Sequence, residues 1–176
     1  SLAFIKRNLK ISSRNTKERA YQAIVRPTLE YSSTVWHPHP HTQYQSQNIE
    51  KVQRRAARFV TGRYHNTSSV TDMMQELEWP TLQSRRKKAK VTMLHEILNN
   101  QAIVPHDVLS PALPSSTRYS ADTYQYQYQT IYARTKAYQH SFFPNTVSLW
   151  NSLPQSVLAA PNLDVFKREL STVSLP

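Results

Sequence analysis

Four basic side chains recur at a helical spacing near the middle of the chain, and cations in this pattern suit the binding of phosphate. They are Lys51, Arg54, Arg55 and Arg58. At 100° per residue they fall within an arc of about 100°, and the apolar residues of the same segment fall within a similar arc on the opposite side. Guanidinium groups pair well with phosphate oxygens, so one helix face would pack while the other contacts a nucleic-acid backbone.

A merely solubilising helix face is the alternative for this pattern. Such a face normally carries acids about four residues from its bases, whereas Glu50 is the one acid beside these cations. The composition therefore favours phosphate contact that is electrostatic and independent of base sequence. Arg63, which follows the same helix, is predicted to contact phosphate together with these four cations. Five further cations are predicted to extend the surface: Lys6, Arg7, Lys10, Arg14 and Lys17.

The net charge of the whole chain indicates a polyanionic partner. The 176 residues include 22 Lys and Arg against 11 Asp and Glu, which gives a net charge of +11. Residues 1–63 hold 12 of the bases and 3 of the acids. Regularly spaced apolar residues accompany this excess, so we expect a folded basic face, with RNA or DNA as partner, and not a disordered tail.

The rarest residue types exclude several kinds of site. A single glycine rules out glycine-rich phosphate loops, and the lack of cysteine rules out disulfides, thiol catalysis and thiolate metal sites. His37, His39 and His41 suggest a metal, but the prolines between them hold an extended backbone that cannot wrap one ion, and no acid lies nearby. No two acids are adjacent, and no nucleophile has an identifiable partner. We expect no metal, cofactor or catalytic residue.

The apolar spacing and the capping residues predict mostly helices in the first hundred residues. A helix over about residues 16–36 should kink or restart at Pro27, which lacks an N–H and clashes with the preceding turn. The clearest helix runs from Asn48, as its N-cap, to Thr61 and ends at Gly62. Two shorter sets of signals follow: Ser69 should cap a helix through Leu77, and Thr81 one from Leu82 to about Asn99, whose basic run is spread around its circumference.

Residues 101–176 combine an extended connection with two more helices. Residues 101–141 are rich in proline, and Tyr and Gln alternate from Tyr124 to Gln129. This alternation favours one strand of a small β-hairpin near 119–135 over a platform on which nucleobases stack. Helices are predicted from Pro144 to Leu153 and after Asn162. Trp36, Trp79 and Trp150 are predicted to be core residues.

These elements predict a mainly α fold, an irregular helical bundle with a proline-rich extended connection. The expected segments are a basic helical region over 1–100, the connection over 101–141, and a helical extension over 142–176 that packs back on the bundle. No apolar run approaches the roughly 20 residues that would span a bilayer. We therefore expect no membrane partner and an intracellular protein, nuclear or cytoplasmic.

Several motifs occur in an order that resembles one family. They are AFIKRNLK from Ala3, RPTLEY from Arg26, VW from Val35, IEKVQRRAARFV from Ile49, SSVTDM from Ser68, EWPTLQSRR from Glu78, SFFP from Ser141 and WNSLP from Trp150. Together they resemble the C-terminal segment of the polymerase polyprotein of LINE-type (non-LTR) retrotransposons, which follows the reverse-transcriptase palm. The resemblance is weakest over residues 101–140.

The resemblance implies a thumb-like helical region with a C-terminal extension. In that family this region grips template RNA and primer DNA during target-primed reverse transcription, and the catalytic carboxylates lie upstream in the palm. The chain would then be a non-catalytic part of an RNA-directed DNA polymerase, with RNA, DNA and the palm as partners. Two alternatives are a helical module that docks on the polymerase core or another protein, and a decayed or domesticated remnant without activity.

Overall fold

Helices make up nearly all the regular structure in the residues that the computed structural model describes, which are 1–34, 43–105, 107–112 and 126–175. The mainly α fold predicted from the sequence is confirmed. The chain divides into two units. The described residues of the first lie within Ser1–Ser32 and Pro40–Arg85, and those of the second within Ser33–His39 and Arg86–Pro176.

The described helices are named here in the order in which they follow one another along the chain. They are α1 (Leu2–Asn8), α2 (Arg14–Ala20), a π-helical turn (Tyr21–Val25), α3 (Arg26–Glu30), α4 (Gln43–Thr61), α5 (Val70–Glu76), α6 (Leu82–Leu98), α7 (Lys136–Gln139), α8 (Phe142–Asn151), α9 (Gln155–Leu158) and α10 (Leu163–Thr172). Helix α6 starts in the first unit and continues into the second at Arg86. Among the described helices, none is both long and apolar enough to cross a membrane.

Proline shapes the helical run that joins α2 to α3. The N–H of Arg26 donates to the carbonyl of Tyr21, five residues earlier, and so widens the helix just before Pro27. Proline has no N–H for the carbonyl of Ala23 and would clash with it, which explains a π-helical turn at this point. The helix is thus interrupted near Pro27 by the π-helical turn and restarts as α3 at Arg26. The predicted extension to residue 36 is wrong, because α3 ends at Glu30.

Helix α4 starts six residues, nearly two turns, earlier than predicted and ends where predicted. It begins at Gln43, so the assignment of Asn48 as its N-cap is wrong. The added residues are mostly polar, and those from 44 to 48 are exposed or half-buried. Hydrophobic periodicity cannot detect such a segment, even though its glutamines favour a helix. At the other end Gly62 has φ 71° and its N–H donates to the carbonyl of Arg58 at 2.9 Å, which confirms the left-handed helix end.

Helices α5 and α6 end on left-handed residues that are not glycine. Glu78 follows α5 with φ 53°, and Asn100 follows α6 with φ 54°. After α5 the N–H groups of Glu78 and Trp79 donate to the carbonyls of Gln75 and Met74, at 2.9 and 2.8 Å. This is the paired bonding of a Schellman helix end, and Asn100 and the next residue repeat it after α6.

Three predicted helix starts are confirmed by side-chain hydrogen bonds. The Ser69 hydroxyl accepts from the N–H of Asp72 at 3.2 Å, and the Thr81 hydroxyl from Ser84 at 3.1 Å. The side-chain oxygen of Asn162 accepts from the N–H of Val165 at 2.9 Å. Each bond satisfies one N–H that has no partner inside its helix.

The first unit buries one apolar cluster built from α1 to α5 and the turn after α5. It comprises Ile5, Tyr21, Val25, Ala56, Ala57, Phe59, Val60, Val70, Met73, Met74, Leu77 and Trp79. The Trp79 ring stacks on Tyr21 with their centroids 4.5 Å apart, and its indole N–H donates to the Glu18 carboxylate at 3.2 Å. The prediction of Trp79 as a core residue is confirmed, whereas Trp36 lies outside the described residues.

The second unit buries a separate cluster in which α6 packs with the C-terminal helices. Its members are Val91, Leu94, Leu149, Trp150, Leu153, Val157, Leu158, Phe166 and Leu170. Trp150 is therefore a core residue, as predicted. The boundary between the two units falls inside α6, between Arg85 and Arg86. The three segments predicted from the sequence, 1–100, 101–141 and 142–176, stay a prediction.

The Tyr and Gln segment pairs with a residue outside the predicted hairpin. Tyr124 and Gln125 are among the residues that are not described, and Tyr128 forms one antiparallel bridge with Pro111. The side-chain amide of Asn151 accepts from the Tyr128 N–H at 3.1 Å and donates to the Tyr128 carbonyl at 2.7 Å. Residues 110–112 therefore pair with one edge of this segment, and the Asn151 side chain bonds the other edge at Tyr128. The expected hairpin does not form in the described part of 119–135, because both edges of Tyr128 are occupied in this way.

Two cations of the α6 basic run are buried in the second unit. Arg86 is 0% exposed and Lys90 is 2% exposed, one helical turn later on the same face. The Lys90 ammonium donates to the side-chain oxygen of Asn145 at 3.1 Å. Burial lowers the pKa of Lys90 to about 8, because the surrounding apolar core disfavours the charged form.

The end of α4 generates a first prediction. We expect Gly62→Val to lower the free energy of unfolding by roughly 1 to 2 kcal/mol, because a β-branched residue is strained at this φ. Gly62→Asn should cost less than half as much, since asparagine tolerates the left-handed region. A Cβ at this position meets no described atom within 4 Å, so the cost is one of backbone conformation. Urea unfolding of both variants measures it, and equal losses would contradict this account.

Lys90 generates a second prediction. Between about pH 8 and the ordinary lysine pKa the folded protein releases a proton that the unfolded chain keeps, so stability should rise with pH there. We expect a gain of about 2 kcal/mol between about pH 7 and about pH 9.5. Lys90→Met should abolish that gain and raise stability near pH 7, where the buried charge costs most.

Urea unfolding at both pH values measures this effect. The range stays below about pH 10 because burial raises the pKa of Tyr128, whose ionisation would favour the unfolded chain above that pH. Lys167→Met is the matched control, because Lys167 is exposed. A Lys90→Met variant that keeps the pH dependence of the unmodified protein would show that another group causes it.

Candidate nucleic-acid interface

Helix α4 carries the four cations of the predicted stripe on its solvent face. We call Lys51, Arg54, Arg55 and Arg58 the basic stripe. Lys51, Arg54 and Arg55 are exposed and Arg58 is half-buried, while Ala56, Phe59 and Val60 on the other side lie in the first core. Because that side is held by packing, the backbone fixes where each cation leaves the helix.

The basic stripe lines a shallow concave surface. All four side chains border it together with Val70 of α5, and its volume is about 170 Å³. At 1.5 Å per residue, Lys51 and Arg58 leave the helix about 10 Å apart along its axis. Successive phosphates of one strand of B-DNA are spaced about 3.4 Å along the duplex axis, so the stripe spans about three such intervals, the length of roughly four phosphates.

Carboxylates do not neutralise the stripe within the described part of the chain. None of its four residues takes part in an ion pair between described residues. The Lys51 ammonium donates instead to the Asn48 side-chain oxygen at 3.4 Å. The Nε of Arg58 is buried and has no hydrogen-bond partner among the described residues.

Glu50, the acid adjacent to the stripe in sequence, serves another helix. Its two carboxylate oxygens accept from the N–H groups of Leu82 and Gln83, at 3.3 and 2.8 Å. These N–H groups open α6, where a negative charge is favourable because the helix dipole is positive at that end. The same residue that could have balanced the stripe therefore ties α4 to the start of α6.

Arg63 differs from the stripe although it follows the same helix. Its guanidinium pairs with the Glu76 carboxylate at 2.8 Å, and Arg14 pairs with the same carboxylate. The hydrogen bond from Arg14 is the main reason that the pKa of Glu76 is lowered, so the carboxylate stays charged at neutral pH. Arg63 and Arg14, which were both predicted to contact phosphate or to extend that surface, are therefore partly balanced by one acid.

The remaining predicted cations belong to the N-terminal helices. Lys6 and Arg7 lie in α1 and Lys10 in the turn after it, and α1 packs against α4 within the first unit. These three residues do not border the concave surface of the stripe. Lys17 of α2 places its ammonium 5.1 Å from the centre of the Phe59 ring, so its side chain covers the core.

Sequence reasoning missed one residue of this face. Tyr44 lies in the added first turn of α4, and its side chain is 72% exposed. Its ring centre is 5.8 Å from the Lys51 ammonium, within the range of a cation–π contact. A spacing of seven residues, or two helical turns, was the signal in the sequence, but it is informative only once the helix is known to start before Tyr44.

A metal site receives no support from the described residues. Among them no three His, Asp or Glu side chains are grouped closely enough to hold an ion. His37, His39 and His41 lie outside the described residues, so the expectation for them stays a prediction. His95 is buried in the second unit, where its ring stacks on Phe166 with centroids 4.3 Å apart, and burial lowers its pKa.

Comparison with known proteins identifies no relative. The chain matches no protein-family model, no curated protein and no solved structure. The resemblance of its motifs to retrotransposon polymerases therefore stays a prediction.

Proposed function

We propose that this chain is a non-catalytic nucleic-acid-binding segment that holds RNA and DNA through the phosphate backbone. The observation that carries the proposal is the basic stripe, four cations on one anchored helix with no ion-paired carboxylate among the described residues. Cations that are not paired with a carboxylate are available to an external anion. The net charge of +11 gives the chain a long-range attraction for such a polyanion.

Binding through the stripe would need little rearrangement. The packing of α4 fixes the origins of the four side chains, so a ligand orders only their outer ends. Arginine can donate two parallel hydrogen bonds to one phosphate, while lysine acts as a point charge. Contacts of this kind position the backbone and do not distinguish bases.

The motif resemblance extends the proposal to a biological setting. The segment would follow the palm of a LINE-type reverse transcriptase and grip template RNA and primer DNA, with the palm as protein partner and the catalytic carboxylates upstream. The motif from Ile49 to Val60 supports this, because it supplies most of α4 and all of the stripe. A protein with RNA and DNA as partners would act inside the cell, in the nucleus or the cytoplasm.

A salt series tests the proposal directly. Four phosphate contacts should make log K fall with log salt at a slope of about −4 on duplex DNA. We expect the triple variant Arg54→Gln, Arg55→Gln, Arg58→Gln to weaken binding of all base sequences alike and to bring the slope near −1, because three contacts are lost. Affinity for an RNA/DNA hybrid and a DNA duplex, measured over several salt concentrations, gives both quantities.

Two controls separate the stripe from general charge. The triple variant Arg134→Gln, Lys167→Gln, Arg168→Gln removes the same net charge from exposed positions of the second unit and should leave the slope unchanged. Arg63→Gln should weaken binding less than Arg58→Gln, because Glu76 already balances Arg63. Binding that does not respond to salt, or that both triple variants weaken equally, would refute the proposal.

Exposed apolar residues in the first unit favour docking on a protein as a second candidate function. Ile11 is 99% exposed, and Phe4 and Ile24 are also exposed. Large apolar side chains at a surface often mark a protein contact. We expect Ile11→Asp to weaken association with the upstream polymerase segment at least tenfold without changing the affinity for nucleic acid. Co-purification and nucleic-acid titration of this variant test that expectation, and unchanged association would reject this contact.

A further inference from the structure

Tyr44 extends the basic stripe with an aromatic ring. It precedes Lys51 by two helical turns, so both side chains leave the same face of α4. Its ring is 72% exposed and makes little contribution to the core. The Lys51 ammonium lies 5.8 Å from the ring centre, which keeps the ring beside the first cation of the stripe.

The chemistry of this pair differs from that of the arginines. Cations contact phosphates in any nucleic acid, whether it is paired or single-stranded. An aromatic ring gains most from stacking on the face of a base, a contact worth about 1 to 3 kcal/mol for any base. Within a duplex those faces are covered by neighbouring base pairs, so the ring requires an unpaired base.

The spacing along α4 suits one continuous strand. Tyr44 and Lys51 leave the helix about 10 Å apart along its axis, and Lys51 and Arg58 are separated by the same distance. A strand that places its phosphates along the stripe would continue past Lys51 toward the ring. Grooves lined by cations and exposed aromatic rings are typical of proteins that bind single strands.

We propose that this face of α4 binds a single strand, or the unpaired end of a duplex, with one base stacked on Tyr44. This inference rests on the proposed function, because the ring needs the phosphate contacts of the stripe to hold the strand in place. It adds a ligand class that the cations alone do not specify: RNA or DNA with at least one unpaired base.

The test compares two ligands and three variants. The ligands are a single-stranded oligonucleotide and a long duplex, whose ends are a small share of its sites. Tyr44→Leu should weaken binding of the single strand by about 5- to 100-fold and of the duplex by less than about 2-fold, with no change in either salt slope. Tyr44→Trp should keep the single-strand affinity. Tyr132→Leu, at a tyrosine that is 87% exposed in the second unit, should change neither affinity.

An abasic single strand completes the experiment. It keeps the phosphates and removes the bases, so the unmodified protein and Tyr44→Leu should bind it equally. If Tyr44→Leu weakens both ligands equally, or neither, the inference fails while the proposed function stands. If neither ligand binds the unmodified protein, the proposed function itself fails, and this inference fails with it.

Discussion

The burial of one face of α4 is the constraint on which the candidate interface depends. Phe59 and Val60 lie in a core shared with Val70 and Met73 of α5, so the helix cannot rotate without exposing them. Exposure would cost about 2 kcal/mol for each large apolar side chain. Because the helix is held in this way, the cations on its other side stay together. Glu50 adds to the constraint, since its carboxylate is occupied at the start of α6.

The sequence predicts well what periodicity and capping determine. The basic stripe, the buried side of α4, the left-handed end at Gly62 and the caps at Ser69, Thr81 and Asn162 depend on neighbours only a few residues away, and all appear in the structure. Short-range patterns fix such features because their hydrogen bonds close within one helical turn. The interruption of the helix near Pro27 also has a local cause, although its form, a π-helical turn, was not predicted.

Features that depend on partners distant in the sequence were not predicted. Lysine side chains are almost always exposed, yet Lys90 is buried against α8 and donates to Asn145, 55 residues later. One edge of Tyr128 pairs with Asn151, and no local pattern indicates that a side-chain amide will bond that edge. Arg63 looked equivalent to the stripe until Glu76 was placed beside it. The first turn of α4, with Tyr44, was missed because it contains no regularly spaced apolar residues that pack in the core.

The helix ends at Glu78 and Asn100 bear on the unfolded chain as well as on the folded one. A glycine at either position would relieve the left-handed backbone but would give the unfolded chain more conformations to lose. With one glycine and 11 prolines in 176 residues, this chain has an unusually restricted unfolded ensemble. Its helix ends thus accept local strain in the native state while the entropy lost on folding is kept small. That balance helps two small cores, each of about ten side chains, to hold their helices in place.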